Sequence, residues 1–402
     1  MMMRRMLNFL RSTSCRGIRM LWWAITQKAD MPLQHGVLFI GYAEGALGLG
    51  QAFRANLDAA AHAKLPFAIY PFRAGIKTRM IGPYMPERYE FKHPYEVNCI
   101  EVACDQVPTV FRSLNPALLK HSYNILRPYW ELPKAPRAWK PYLANIHEIW
   151  APNEFIARAF AGIFDGPIVV MPPAIADTAG DYLGRAHYGM EENRFYFMFS
   201  FDYYSSPFRK NPLGVLDAFQ RAFPNGTENA GLVIKSTGAP DHFPEVRAII
   251  ENAMRQDPRI LMFDGNMSRN GMLGLIQASD AYVSLHRAEG FGLGMAEAMT
   301  FGRIVIATDF SGSTDFLSDD TGYPVPCQLR KIQPHEYPWS TGQVWAEPDV
   351  DAAAGIMRQV ASDPLDGKAR GRIACARVKQ RYSTKSVGEA MKLRLETLFR
   401  KM

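Results

Sequence analysis

The chain predicts an α/β architecture in two domains, and three observations predict it. Short apolar runs alternate with helical stretches from GVLFI (36–40) onward, the pattern of strands buried on both faces of an open, mostly parallel sheet. The run AYVSLHRAEGFGLGMAEAMTFGRIVIATDF (281–310) repeats the alternation compactly. It reads as a strand over 281–285, a glycine-rich turn over 289–294, a helix over about 295–301 and a strand over 304–307. A length of 402 residues, at roughly 100–200 residues per domain, gives two domains. The boundaries fall at a basic leader (1–30), a first α/β domain (31–176), a polar linker (177–194), a second α/β domain (195–384) and a terminal helix (385–402).

In chain order, GVLFI is the first strand and residues 51–63 the first helix, with GYAEGALGLG (41–50) between them. Ligands of open α/β sheets bind beyond the carboxyl ends of strands, so this loop faces a ligand and Gly48 is a candidate contact. Its glycines, at 41, 45, 48 and 50, miss the G-x-G-x-x-G spacing, which argues against an NAD site. LPFAIYPF (65–72) is the next strand, and the Pro-, Gly- and Tyr-rich stretch 73–96 is loop. Strands follow at IEVACD (100–105) and NILRPYW (124–130), the second delivering Glu131 at its end. That carboxylate reads equally as a loop cap or as a functional group. Asn153 suits the N-cap of a helix starting at Glu154, and 167–175 is the last strand of the first half.

In the second half, FYFMFSFD begins a strand, loop and helix, with Pro212 in the helix's first turn. Arg209 and Lys210 stand just before it, either as a phosphate clamp at the helix N-terminus or as solvated charge. GLVIKSTG is a strand ending at Lys235 or Ser236, and Gly265 and Asn266 lie in the loop FDGNMS. Residues 324–348, rich in proline and aromatics, read as an insertion. From Asp349 the chain is helical, ending in an amphipathic helix over 385–399.

The composition, 48% hydrophobic and 21% charged, is that of a globular protein with a large core. No apolar run reaches the roughly 18 residues of a membrane span. The net charge of +7 favours acidic partners. It is concentrated in the leader, where Arg4, Arg5, Arg11, Arg16, Arg19 and Lys28 interleave with bulky apolar residues. The leader reads as an arm on an anionic membrane surface or as an unordered segment. MLWWAI is short for a secretory core, and Thr26-Gln27-Lys28 is a poor cleavage site. No nucleic-acid motif appears. Five scattered cysteines without zinc-like spacing imply a reducing cytoplasm. His121 and His147 are lone histidines, structural or catalytic.

The chemistry concentrates at 289–297. Three glycines at a strand-to-helix corner bring backbone N–H groups close to a ligand at the positive end of a helix, which suits a phosphate. Glu289 and Glu297 frame the corner and point to different parts of one elongated ligand, such as a nucleotide sugar. Glu297 suits the ribose hydroxyls. Glu289 suits the transferred sugar or the charge developing at its anomeric carbon.

The ordered run E-x7-E in EGFGLGMAEAMTFG, the strand IVIAT and then SGSTD resembles the donor-site signature of retaining glycosyltransferases of family 4. The resemblance implies the GT-B fold, two Rossmann-like α/β domains facing a central cleft, with the acceptor on the first and the donor on the second. It implies that Arg209, Lys210 and the amides of Gly290, Phe291, Gly292 and Leu293 hold the donor diphosphate. It places Lys235, Gly265 and Asn266 near the nucleotide, and Gly48 near the acceptor or donor phosphates. Glu131 falls near the reacting sugar, where the family often has a histidine-aspartate pair. YWELPKAP and HEIWAPNEFIARAF resemble a bacterial surface-polysaccharide branch of hexosyl- and mannosyltransferases. Departures are Asn153 for serine, Ser200-Phe201-Asp202 for an arginine, Ser311 for a glycine and Asp315 for a glutamate.

The implied activity is retaining transfer of a hexose, mannose or glucose, from a UDP- or GDP-linked sugar to a growing polysaccharide or lipid-linked glycan. It needs neither metal nor other cofactor, and it would run in the cytoplasm or on the inner face of the plasma membrane. An inactive relative that only binds glycans or nucleotide sugars is the alternative, ahead of a same-fold epimerase or phosphorylase.

Overall fold

The computed structural model describes residues 31–75, 80–176 and 182–402. The basic leader, with the membrane surface expected for it, and Cys15 lie outside the described residues. The first half comprises β1 (Gln34–Gly41), α1 (Gly48–His62), β2 (Phe67–Pro71), β3 (Tyr95–Glu101), α2 (Val107–Ser113), β4 (Tyr123–Leu126), β5 (Glu148–Ala151), α3 (Glu154–Ala161) and β6 (Ile168–Val170). Its strands form a parallel sheet in the order β2-β1-β3-β4-β5-β6. The buried runs of β1 and β3 pack against helices on both faces, which is why they read as continuous apolar stretches.

The second half comprises β7 (Phe195–Asp202), α4 (Pro207–Lys210), α5 (Pro212–Ala222), β8 (Ala230–Thr237), α6 (Pro244–Gln256), β9 (Ile260–Phe263), α7 (Arg269–Ala278), β10 (Ala281–Ser284), α8 (Leu293–Thr300), β11 (Ile304–Thr308) and β12 (Tyr323–Val325). Here too the sheet is parallel, ordered β12-β11-β10-β7-β8-β9. An antiparallel hairpin, β13 (Cys327–Lys331) with β14 (Val344–Pro348), stands outside it. The chain closes with α9 (Val350–Ser362), α10 (Leu365–Tyr382) and α11 (Thr384–Phe399).

Several expected boundaries move. The strand expected over 100–105 starts at Tyr95 and stops at Glu101, giving way to a single 3-10 turn at Cys104–Gln106. NILRPYW leaves the sheet after Leu126: the Arg127 N–H makes one more bond, to Ile100 O (2.8 Å), and Pro128 has none to give. The helix expected from Met295 begins at Leu293. Of the polar stretch expected as linker, residues 182–194 pack on the second half. There Arg185 bonds Ala278 O (3.0 Å) and Asp280 (2.7 Å), and Tyr188 enters the core.

Helix α11 returns to the first half and packs on α1. Gly388 lies so close that a Cβ there would sit 2.3 Å from Ala59 O. Arg394 forks onto the buried Glu148 of β5 (2.8 and 2.5 Å), a bidentate pair of the stronger kind. Where the two halves join, the Ile175 N–H donates to Tyr382 O (2.7 Å).

Candidate active site

In each sheet the strand order reverses once, between β1 and β3 and between β7 and β10. Crevices at such switch points, outside the carboxyl ends of the strands, are where α/β sheets bind ligands. The two crevices face each other and share one cleft of about 620 Å³. Tyr42, Gly48 and Glu131 line it from the first half, and Asp202, Lys210 and Ser284 from the second, with the glycine corner between β10 and α8.

The corner carries the conformation that the sequence suggests. Gly292 has φ +97° and is the N-cap of α8, with no side chain capping the helix. The first-turn N–H groups therefore have no partner within the helix, and Leu293, Gly294 and Met295 line the cleft. Gly294 makes room for Tyr282, whose hydroxyl would lie 2.5 Å from a Cβ there and bonds Ser200 Oγ (2.6 Å). Ser311, standing where the resembled signature has glycine, takes the left-handed φ of +71°. Its Oγ accepts the Glu289 N–H (2.8 Å), so the substitution fixes the start of the corner.

Glu289 is buried and sits among cations. Lys210 Nζ pairs with its Oε2, and Arg209 Nη1 lies 3.5 Å from its Oε1. Burial opposes its ionisation, but Lys210 and then Arg209 outweigh it and hold the carboxyl down at about 2. Glu289 is thus an anion throughout the physiological range. Arg209 is committed elsewhere as well: its Nη1 donates to Ala288 O (3.0 Å), its Nε to Ser205 O (3.1 Å), and Nη2 lies 3.8 Å from Glu131. Neither cation caps α5. That place belongs to Asn211, whose Oδ1 accepts the Gly214 N–H (3.2 Å) while its Nδ2 holds Leu285 O (2.8 Å).

Arg209, Lys210, Glu131, Glu289, Gly290, Phe291, Gly292, Leu293 and Gly48 all come together in the cleft wall. Glu297, Lys235, Gly265 and Asn266 stand outside that lining. Glu297 is buried and paired with Arg269 Nη2 (2.6 Å) at the start of α7. Lys235 donates to Ser236 O (2.6 Å) and Gly265 O (2.5 Å), tying β8 to the loop that carries Asn266. Burial pushes its amine down to about 8, against Asp264 and Asp202. Among the described residues no group of three or more His, Cys, Asp and Glu side chains could hold a metal ion.

Sequence reasoning missed three contributors. Arg269 had no motif to mark it. His286 is fully buried between Ser284 Oγ (3.0 Å) and Phe310 O (3.3 Å). Asn153 was read as a helix cap, and its Oδ1 does accept the Ile156 N–H (2.9 Å). Its Nδ2 also crosses the cleft to Gly290 O (2.6 Å) and Gly312 O (3.4 Å). Serine could cap but not cross, so here the departure from the resembled signature acts at the glycine corner.

Two expected results follow from these placements. Asn153→Ser keeps the cap and leaves buried carbonyls unpaired, costing about 1–3 kcal/mol; Asn153→Ala loses the cap too, for about 1 kcal/mol more. Urea midpoints that rank wild type, serine, alanine in falling order check this, and equal midpoints for the two variants contradict it. For His286, burial pushes the imidazole from its ordinary 6.5 down to about 4, against the pull of Glu289. Between those values the unfolded chain binds the extra proton, so stability falls as pH drops from about 6.5 to 4. His286→Gln should flatten that limb in denaturation curves at pH 7, 6 and 5. The acid limb of Glu289 lies lower, below its ordinary 4.5.

Two parallel-sheet Rossmann-like domains sharing one cleft at their switch points define the GT-B fold of glycosyltransferases. Residues 205–374 match the family model "Glycosyl transferases group 1", so the second half carries a domain of that family. No curated protein matches the chain in sequence. Among solved structures, sucrose-phosphate synthase from Thermosynechococcus elongatus superposes with a TM-score of 0.68 at 15% identity, covering 92% of this chain and 100% of its own. Anabaena HepE, solved in complex with UDP and glucose, gives 0.64 at 13% identity, covering 90% and 99%. The pneumococcal O-GlcNAc transferase GtfA, in complex with UDP and GlcNAc, gives 0.53 at 15% identity, covering 75% and 57%. At these identities the likeness establishes the fold.

Proposed function

We propose that the protein is a retaining hexosyltransferase that moves a hexose, glucose or mannose, from a nucleotide sugar to a growing polysaccharide or lipid-linked glycan. The observation that carries this reading is the glycine corner. Uncapped helix N–H groups, a lysine and a buried ionised glutamate meet there in the wall of one inter-domain cleft. The donor diphosphate would lie against the first turn of α8 and Lys210, with the sugar reaching toward Glu289. As the anomeric bond breaks, negative charge grows on the diphosphate and is met by Lys210 and the α8 amides. Positive charge on the sugar is met by Glu289. The acceptor hydroxyl attacks from the leaving-group face, and its proton passes to the departing phosphate oxygen, so no protein base is needed. Glu297 would turn from Arg269 to the ribose hydroxyls. HepE was solved with UDP-glucose, which puts UDP-linked donors first for testing.

The test is calorimetric binding and slow hydrolysis of a panel of UDP- and GDP-hexoses, with Glu297→Ala as control. One donor should bind and be hydrolysed, and its affinity should drop at least tenfold in the variant. A protein that binds no donor, or a variant that binds as tightly as wild type, overturns the assignment.

A further inference from the structure

The segment that joins β13 to β14 belongs to neither sheet, yet it forms part of the cleft wall through Tyr337, Pro338 and Trp339. It is held firmly at its base. Arg330 forks onto Glu336 (2.7 and 2.8 Å), and Ser206 Oγ donates to Glu336 O (3.1 Å). It is also held across the cleft, where Gln343 donates to Lys134 O (2.6 Å) and the Tyr337 hydroxyl to Glu131 Oε2 (2.9 Å). Between these anchors Trp339 is 44% exposed and has a φ of +59°. For a bulky residue that conformation is an outlier, of the kind that clusters where a ligand is clamped. Its ring stands edge-on to Trp139 (5.7 Å, 76°), which stands edge-on to Trp130 (4.8 Å, 70°). Trp139 is nearly buried, and its indole N–H has no partner among the described residues. Asp105 and Gln106 share the same cleft, the carboxylate of Asp105 exposed.

A half-exposed indole in one cleft wall with hydroxyl acceptors matches one class of ligand. A pyranose ring has an apolar C–H face that covers an aromatic ring and a rim of hydroxyls for carboxylate and amide groups. We propose that the β13–β14 segment builds an acceptor subsite in which Trp339, supported by Trp139, stacks on a pyranose ring of the acceptor glycan, with Asp105 and Gln106 taking its hydroxyls. This rests on the glycosyltransferase reading, and it adds that the terminal sugar of the acceptor, not a lipid or phosphate, is what the cleft grips on this side.

Saturation-transfer NMR on the full chain, with methyl α-D-mannopyranoside, methyl β-D-glucopyranoside and maltotriose as probes, tests it. The probes are measured with and without UDP, whose own binding is read separately by calorimetry. At least one probe should bind, with saturation strongest on its ring C–H protons. Trp339→Gly relieves the backbone while removing the ring, and should weaken that probe at least tenfold with UDP affinity unchanged. Trp339→Phe should recover most of the loss. No binding by any probe, equal binding by Trp339→Gly, or Trp339-dependent binding of polyprenyl-phosphate vesicles alone overturns the subsite. Loss of UDP binding would instead strike the donor reading, because the probe arm does not depend on it.

Discussion

Lys210→Ala lowers donor turnover by roughly 10²–10³-fold, the usual loss when one preorganised donor to a developing anion is removed. The size of the effect follows from what else is at hand. Arg209 also lies beside Glu289 (3.5 Å), but it is buried and its N–H groups serve two carbonyls and two carboxylates. The Lys210 amine pairs with Glu289 alone among the described residues, and under the proposed function it exchanges that partner for a phosphate. The same substitution removes the main counter-charge of Glu289. Burial is then opposed chiefly by Arg209, and the carboxyl's pKa rises from about 2. The acid limb of the pH–rate profile should therefore move to higher pH, a displacement that a lost phosphate contact alone does not produce. Lys210→Arg should restore part of the rate and return the limb toward its original position. Rates for the alanine variant within fivefold of wild type would remove Lys210 from the chemistry.

Gly292→Ala should cost about 1–3 kcal/mol of stability and at least tenfold in nucleotide affinity. The alanine Cβ would meet Met295 Cε at 2.4 Å and Phe316 Cζ at 3.3 Å. The methionine tip can move aside; the φ of +97° cannot be relieved without turning the first peptide of α8. That peptide heads the row of first-turn N–H groups in the cleft wall, so strain and the proposed donor binding are damaged together. Gly290 is the internal control. Its nearest neighbour to an added Cβ is Trp130 O at 3.4 Å, and Gly290→Ala should unfold within about 0.5 kcal/mol of wild type. Thermal unfolding and UDP calorimetry on both variants check the pair.

Much of the second sheet was legible because its signals are local. The strand at 281–284, the glycine turn and the helix after it lie within twenty residues, and Pro212 marks the start of α5. What could not be read was what a side chain reaches after the fold closes. Asn153 announces a helix cap, but its bond to Gly290 spans the two domains. Glu297 announces a ligand contact, but whether its carboxylate faces solvent or Arg269 depends on how α7 packs on α8. Residues 324–348 showed their aromatic content and nothing of their position. A hairpin outside the sheet has no periodicity that says where its tip goes; the contacts with Glu131, Lys134 and Trp139 do so.

The bond between Ile175 and Tyr382 also sets how the molecule can move. The outgoing and returning passages of the chain are stitched together at one spot, so any parting of the halves turns about a single pivot, as jaws do. Away from that pivot, Asn153 on Gly290, Tyr337 on Glu131 and Gln343 on Lys134 act as a latch. Opening must break them, at about 0.5–1.5 kcal/mol net apiece, and must also part the apolar cluster in which Ala288, Ile332 and Trp345 pack with the core of the first half. The jaws are thus held shut by polar bonds at the cleft and by an apolar seam behind them.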